Sequence, residues 1–187
     1  MLIAYLEPGN YCGVEPNTWL IDEAVKNQVG RDLLDIKKPT FRATDRFDFS
    51  GLGTFDFVLV QGVATIAGPT LVPAILTAVR DALAPRGMCA ITFVHPGTAD
   101  RDALPVGPDD STALPWLYPN CYSYERQAVQ RWVTSASLCG GPIAWYHPRQ
   151  TWWLLALAPE ALPPPEFLSQ LTGPTLLEGF EFSWRPG

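Results

Sequence analysis

The chain has few of the residues that usually reveal chemistry. Only two histidines, His95 and His147, occur among 187 residues, and the four cysteines, Cys12, Cys89, Cys121 and Cys139, lie far apart. None shows the paired short spacing of zinc ligands, so no metal site is expected. Cys12 and Cys89 fall inside apolar runs, where a reduced thiol behaves as a small hydrophobe, and a reducing compartment is implied. No apolar run approaches the roughly twenty residues needed to span a bilayer. The start, Met1 to Glu7, has no basic segment before its apolar residues and so does not read as a signal peptide. Thirteen Lys and Arg against nineteen Asp and Glu give a net charge of -6, with no basic stripe to hold a phosphate backbone. Nucleic acid and membrane are thereby excluded as expected partners, and the cytoplasm is the expected location. Nucleophile elbow, phosphate loop and two-glycine dinucleotide fingerprint are all missing, which removes the usual support for hydrolase, NTPase and NAD-dependent dehydrogenase readings.

What is present is alternation of strand and helix patterns. Tyr11–Glu15 is a short β-prone run after the turn Glu7-Pro8-Gly9-Asn10, and Asn17 or Thr18 then caps an amphipathic helix (Trp19, Leu20, Ala24, Val25) that ends near Gly30. Phe41–Thr44 is a weaker strand. Phe55–Val60 is apolar almost throughout, as in an interior strand covered on both faces. Leu71, Ile75, Leu76, Val79 and Leu83 keep helical spacing up to the turn Pro85-Arg86-Gly87, and Met88–Val94 is a further buried strand. Strand, helix, strand in this order implies right-handed parallel crossovers and an α/β fold.

His95–Asn120 has no period and is too long for an ordinary connection, so it reads as a lid or binding insertion, or as a partly disordered loop. Helical spacing returns at Tyr124–Leu138. Ile143–Tyr146 and Thr151–Leu157 form an antiparallel pair joined at His147-Pro148-Arg149-Gln150. Pro163-Pro164-Pro165 then breaks the chain. The expected division is one α/β domain over 1–160 and a Pro-rich tail over 161–187 that carries Phe180, Phe182 and Trp184 and packs on the sheet or on another subunit.

Ligands of open parallel sheets collect beyond the carboxyl ends of the strands. Glu15 ends the first strand just before a helix, where a carboxylate can accept both hydroxyls of a ribose, or simply favour the helix dipole. Asp45, Arg46 and Phe47 follow the second strand, suited to an exocyclic amine and a base face, or to an Asx turn. Gln61 and Gly62 open a small-residue stretch that admits a ligand close to backbone, or makes a tight turn into the next helix. His95 and His147 stand at strand ends as candidate bases or solvated loop residues, and Arg149 could hold an anion.

Taken in order, Glu15-Pro16-Asn17, Asp45-Arg46-Phe47, Phe55-Asp56 opening an apolar strand that ends at Gln61, and Leu83-Ala84-Pro85-Arg86-Gly87 before a strand resemble class I S-adenosylmethionine-dependent methyltransferases over about residues 5–158. The resemblance implies a Rossmann-like, mostly parallel sheet with flanking helices and a C-terminal antiparallel strand pair. It also implies N-terminal truncation, because the family's first strand and glycine-rich loop (motif I) would fall before Met1. S-adenosyl-L-methionine is the implied cofactor. Glu15, Pro16 and Asn17 would serve its ribose, Asp45, Arg46 and Phe47 its adenine, and Gln61 and Gly62 its methionine side. Many relatives carry a histidine where Ile66 stands, so a base is sought at His147, His95 or Tyr118, or the reaction relies on proximity alone. A small-molecule acceptor would sit under the insertion, on Trp116, Tyr118, Tyr122 and Trp145. The alternative is a catalytically inactive methyltransferase-like module that binds a partner protein, with a homo-oligomer or partner chain covering the sheet edge left bare.

Overall fold

The computed structural model describes residues 2–96, 122–145, 147, 150–164 and 166–167. They divide into two compact units, Met1–Ser50 and Gly51–Gly187. Both combine helices with parallel strand pairing, as the α/β reading expects.

The first unit holds β1 (Cys12–Val14) and β2 (Thr40–Arg42), paired in parallel with Gly13 opposite Phe41. Between them run α1 (Thr18–Ala24), prolonged by a π-helical turn over Val25–Val29, and α2 (Arg31–Lys37). The helix expected to finish at Gly30 does so, but a second one starts at once. Gly30 sits at φ 80°, a left-handed position that breaks the first helix without ending helical structure, and Lys38 closes the second at φ 47°.

The second unit is built on a four-stranded sheet in the order β3 (Phe55–Val60), β4 (Leu83–Phe93), β6 (Thr151–Ala156), β5 (Cys139–Ile143). β3 and β4 are parallel and joined by α3 (Val72–Ala82); β6 runs antiparallel to both β4 and β5. α4 (Arg126–Ser135) precedes β5 and packs on α3. The core contains Ile75, Leu76 and Val79 of α3, Val129 and Val133 of α4, Ile91 and Phe93 of β4, and Trp153 and Leu155 of β6. Their spacing is that of helix stripes laid on a sheet.

Three expectations are corrected. β3 is not an interior strand covered on both faces: it lies at the sheet's edge, with Val58 buried but Phe57 and Leu59 47% and 41% exposed. An apolar run reports a strand without reporting its neighbours. The helix before β4 closes at Ala82 rather than at Pro85-Arg86-Gly87. Leu83 is already extended and pairs with Phe55, and a register shift beyond Phe55 absorbs the Pro-Arg-Gly residues. The final pair is antiparallel as expected, but its first strand is Cys139–Ile143 rather than Ile143–Tyr146. No helix of the described residues is long and apolar enough to cross a membrane.

Candidate functional site

In the first unit the parallel register brings two groups of candidates to one end of the β1–β2 pair. The Glu15 amide donates to the carbonyl of Arg42 at 3.1 Å, which carries the ladder one step past both strands. Glu15 Oε1 accepts from the Asn17 backbone amide at 2.8 Å and from Asn17 Nδ2 at 3.0 Å, so the carboxylate spans Pro16 and fixes the turn into α1. These bonds set the carboxylate beside the start of α1, where a negative charge also favours the helix dipole, and hold it at the strand's carboxyl end.

The loop after β2 is organised by a residue that sequence reasoning missed. Arg42 Nη1 donates to the carbonyl oxygens of Asp48 (3.1 Å) and Ser50 (2.6 Å) and lies 3.9 Å from Asp48 Oδ2. Asp48 Oδ1 accepts the Ser50 amide at 2.8 Å, and the bonds from Ser50, aided by Arg42, hold the Asp48 carboxyl below its ordinary range. Within this frame Arg46 N donates to Thr44 Oγ1 at 3.2 Å, and Phe47 adopts φ 52°, uncommon for an aromatic residue. The signal was an arginine at a strand end followed by an Asp-x-Ser turn.

In the second unit the carboxyl ends of β3 and β4 carry Gln61, Gly62 and His95, and the antiparallel register of β6, with Thr151 opposite Phe93, brings the loop bearing His147 to the same end. Gly62 has φ 75°; its amide donates to Thr92 Oγ1 at 2.8 Å and its carbonyl accepts from Thr65 Oγ1 at 2.6 Å. Thr92 and Thr65 are buried, so two hydroxyls pin the turn after β3 to β4. Tyr122 N reaches the Thr65 carbonyl at 2.7 Å, Tyr124 OH donates to the Ala67 carbonyl, and the two tyrosine rings stack at 6.1 Å. Ile66 is 55% exposed in this turn.

His95 is not poised as a general base. It is 3% exposed; its Nε2 accepts the Trp153 indole N–H at 2.9 Å, and its Nδ1 bonds the Tyr124 carbonyl at 2.6 Å. A carbonyl only accepts and an indole only donates, so the ring is neutral with its proton on Nδ1. Burial, chiefly, pushes its pKa down, with a smaller contribution from the Arg126 guanidinium; the bond to Tyr124 and the Glu125 carboxylate oppose this. His95 locks β4 to β6 and to the start of α4.

His147 differs. Half-buried, it stands edge-on to Trp152 at 6.2 Å, and its Nδ1 accepts the Gln150 amide at 2.9 Å, which selects the tautomer protonated on Nε2. Trp145 packs on the same Trp152. Tyr118, Trp116 and Arg149 lie outside the described residues. A cleft of about 390 Å³ opens at this end, lined by His95, Pro96, Glu125, Arg126, Gln127 and Arg131. Its two guanidiniums and one carboxylate were not singled out from the sequence. Their only signal was a charged helix start directly after the long insertion. The described residues contain no cluster of His, Cys, Asp or Glu that could hold a metal ion.

No protein-family model and no curated protein sequence matches this chain. Solved structures do. The glycopeptide N-methyltransferase MtfA complexed with S-adenosyl-L-homocysteine superposes with a TM-score of 0.56 at 13% identity, covering 80% of this chain and 74% of that one. Its complex with S-adenosyl-L-methionine gives 0.57 at 12% identity, over 80% and 78%. The S-adenosylmethionine-dependent methyltransferase SibL in its apo form gives 0.53 at 15% identity, over 78% of this chain and 42% of that one. The chain therefore has the Rossmann-like fold of class I S-adenosylmethionine-dependent methyltransferases.

Proposed function

We propose that the protein transfers a methyl group from S-adenosyl-L-methionine to a small-molecule acceptor. The observation that carries this reading is the fold itself; within the first unit Glu15 stands just past the carboxyl end of β1, and within the second Gln61-Gly62 stand just past that of β3. Glu15 would accept the ribose hydroxyls; its carboxylate already accepts two N–H bonds and the residue is only half-buried, which leaves room for a second set of donors. Pro16 and Asn17 would complete that contact. Asp45, Arg46 and Phe47 would flank the adenine, and Gln61 and Gly62 the methionine end, where nothing beyond its own chain neighbours lies within 4 Å of the position a Gly62 Cβ would take. When bound, the cofactor supplies an electrophilic methyl on a sulfonium. His147 is the candidate base, and it would have to release the Gln150 amide from Nδ1 to accept a proton there; Tyr118 is the alternative, and His95 is retained for positioning. With acceptor and methyl held in line, proximity contributes a large share of the rate.

Isothermal calorimetry of the full chain with S-adenosylmethionine and S-adenosylhomocysteine tests this. Micromolar binding of both is expected. No heat at millimolar ligand would sink the reading and favour the second one, an inactive methyltransferase-like module that binds a partner protein, for which the exposed edge of β3 speaks.

A further inference from the structure

A buried threonine of β4 holds a turn to which it does not belong. Val60, opposite Ile91, is the last residue of β3 to pair with β4. Two residues further on, where β3 has left the ladder, the Gly62 amide donates to the Thr92 hydroxyl at 2.8 Å, a side chain thirty residues away in the sequence. The Gly62 carbonyl accepts from Thr65 Oγ1 at 2.6 Å. Both backbone polar groups of Gly62 are therefore held by side-chain hydroxyls, which fix the peptide planes on either side of its Cα at a left-handed φ of 75°.

Thr92 stands between Ile91 and Phe93, and none of the three is exposed. Such a position suits valine, which has nearly the same shape and no polar atom to remove from water. Burying a hydroxyl costs free energy unless it is bonded, and the bond that this one accepts serves the turn rather than the sheet. Thr65 is buried as well, and its own carbonyl accepts the Tyr122 amide at 2.7 Å, so the clasp reaches the segment that leads into α4.

Gly62 is a residue that the methyl-transfer reading sets against the methionine end of the cofactor. It has no side chain with which to steer a ligand, so only the setting of its backbone can do so. We propose that Thr92, assisted by Thr65, is a positioning residue for the cofactor: its hydroxyl holds the Gly62 backbone in the conformation that binding requires and does not itself touch the ligand. The turn is then ordered before the cofactor arrives, which removes an ordering cost from binding. This inference rests on the methyl-transfer reading and adds to it a determinant of affinity that lies inside the core.

Calorimetry with S-adenosylhomocysteine on the full chain and on its Thr92→Val and Thr92→Ser variants, with urea unfolding of each, tests the assignment. Valine keeps the volume and loses the hydroxyl; serine keeps the hydroxyl and loses a buried methyl, which opens a small cavity and lowers the unfolding midpoint. Affinity should follow the hydroxyl and not the midpoint: at least about fivefold weaker in Thr92→Val, and within about twofold of the parent in Thr92→Ser. Amide exchange at Gly62 should be about tenfold faster in Thr92→Val than in the parent. Equal affinity in Thr92→Val and the parent overturns the proposal, as does unchanged exchange at Gly62. Equal weakening in both variants overturns it too, because affinity would then follow core packing. A parent chain that binds no ligand at millimolar concentration brings down the cofactor reading and this inference with it, whereas the preceding outcomes, in a parent that binds, bring down this inference alone. Should Thr92→Val not fold, Thr65→Val against Thr65→Ser is read by the same criteria.

Discussion

The indole of Trp153 on β6 donates to Nε2 of His95 at the end of β4, at 2.9 Å, and both residues are almost wholly buried. The pair converts a histidine that could have been catalytic into a clamp. Replacing His95 with Ala leaves the buried Trp153 indole N–H without its acceptor and the Tyr124 carbonyl without its donor. A cavity is added to that loss, and a destabilisation of about 3 kcal/mol is expected in urea unfolding. His95→Gln, which keeps an acceptor and a donor, should recover part of it.

The same clamp makes stability depend on pH. Burial holds the folded-state pKa of His95 below its ordinary value of 6.5, so the unfolded chain binds the proton more readily than the folded one. Its contribution is therefore complete above 6.5 and declines as pH falls through that value towards the lower folded pKa. The thermal midpoint should drop between pH 7.5 and about 5.5. In His95→Gln the drop should be smaller; an equal drop would remove His95 as its source.

The order of elements was legible in the sequence because helix stripes and apolar strands have different periods, and α3, β3 and β6 emerged close to their observed bounds. What escaped depended on neighbours. Cys139-Gly140-Gly141-Pro142 holds two glycines and a proline, which strands disfavour, yet it forms most of β5, because at a sheet's edge a proline needs no ladder partner on its outer side and a glycine admits close backbone approach. β3 was mistaken for an interior strand for the complementary reason. Of the site candidates, Glu15 and Gly62 do stand just past strands, where their place in the sequence puts them. The organising Arg42 was missed because its two hydrogen bonds go to backbone carbonyls, and its ion pair to a turn, that only the folded loop brings within reach.

Gly140 supplies a sharp test of that edge strand. Its φ is 127°, and an added Cβ would stand 2.0 Å from the carbonyl oxygen of Leu154, a backbone atom that cannot step aside. Gly140→Ala should cost at least about 3 kcal/mol or prevent β5 from pairing, whereas Gly141→Ala, with open space around its Cβ position, should cost about 1 kcal/mol or less. Chemical denaturation of the two variants side by side distinguishes them. Equal costs would mean that Cys139–Ile143 does not pair as described.

Arg42 is expected to order the loop after β2 rather than to stabilise the fold, because a partly exposed ion pair contributes little. Arg42→Met should leave the unfolding midpoint nearly unchanged but speed amide exchange at Ser50, whose amide bonds the Asp48 carboxylate that Arg42 helps to place. If the proposed adenine contact at Asp45–Phe47 is correct, the same variant should weaken S-adenosylmethionine binding several-fold through loss of preorganisation.

Glu15→Ala and Glu15→Gln separate the two roles of that carboxylate. Both of its bonds to Asn17 anchor the turn into α1. Gln can still accept them through its amide oxygen, so the stability loss, about 1 kcal/mol for Ala, should be largely restored in Glu15→Gln. Ribose recognition asks for more: the charged carboxylate accepts from hydroxyls more strongly than a neutral amide does. Calorimetry should therefore show cofactor affinity reduced by about 2 to 4 kcal/mol in Ala and still measurably reduced in Gln, while the Gln variant unfolds like the parent. A Gln variant that binds the cofactor as tightly as the parent would leave Glu15 only its structural role at the start of α1.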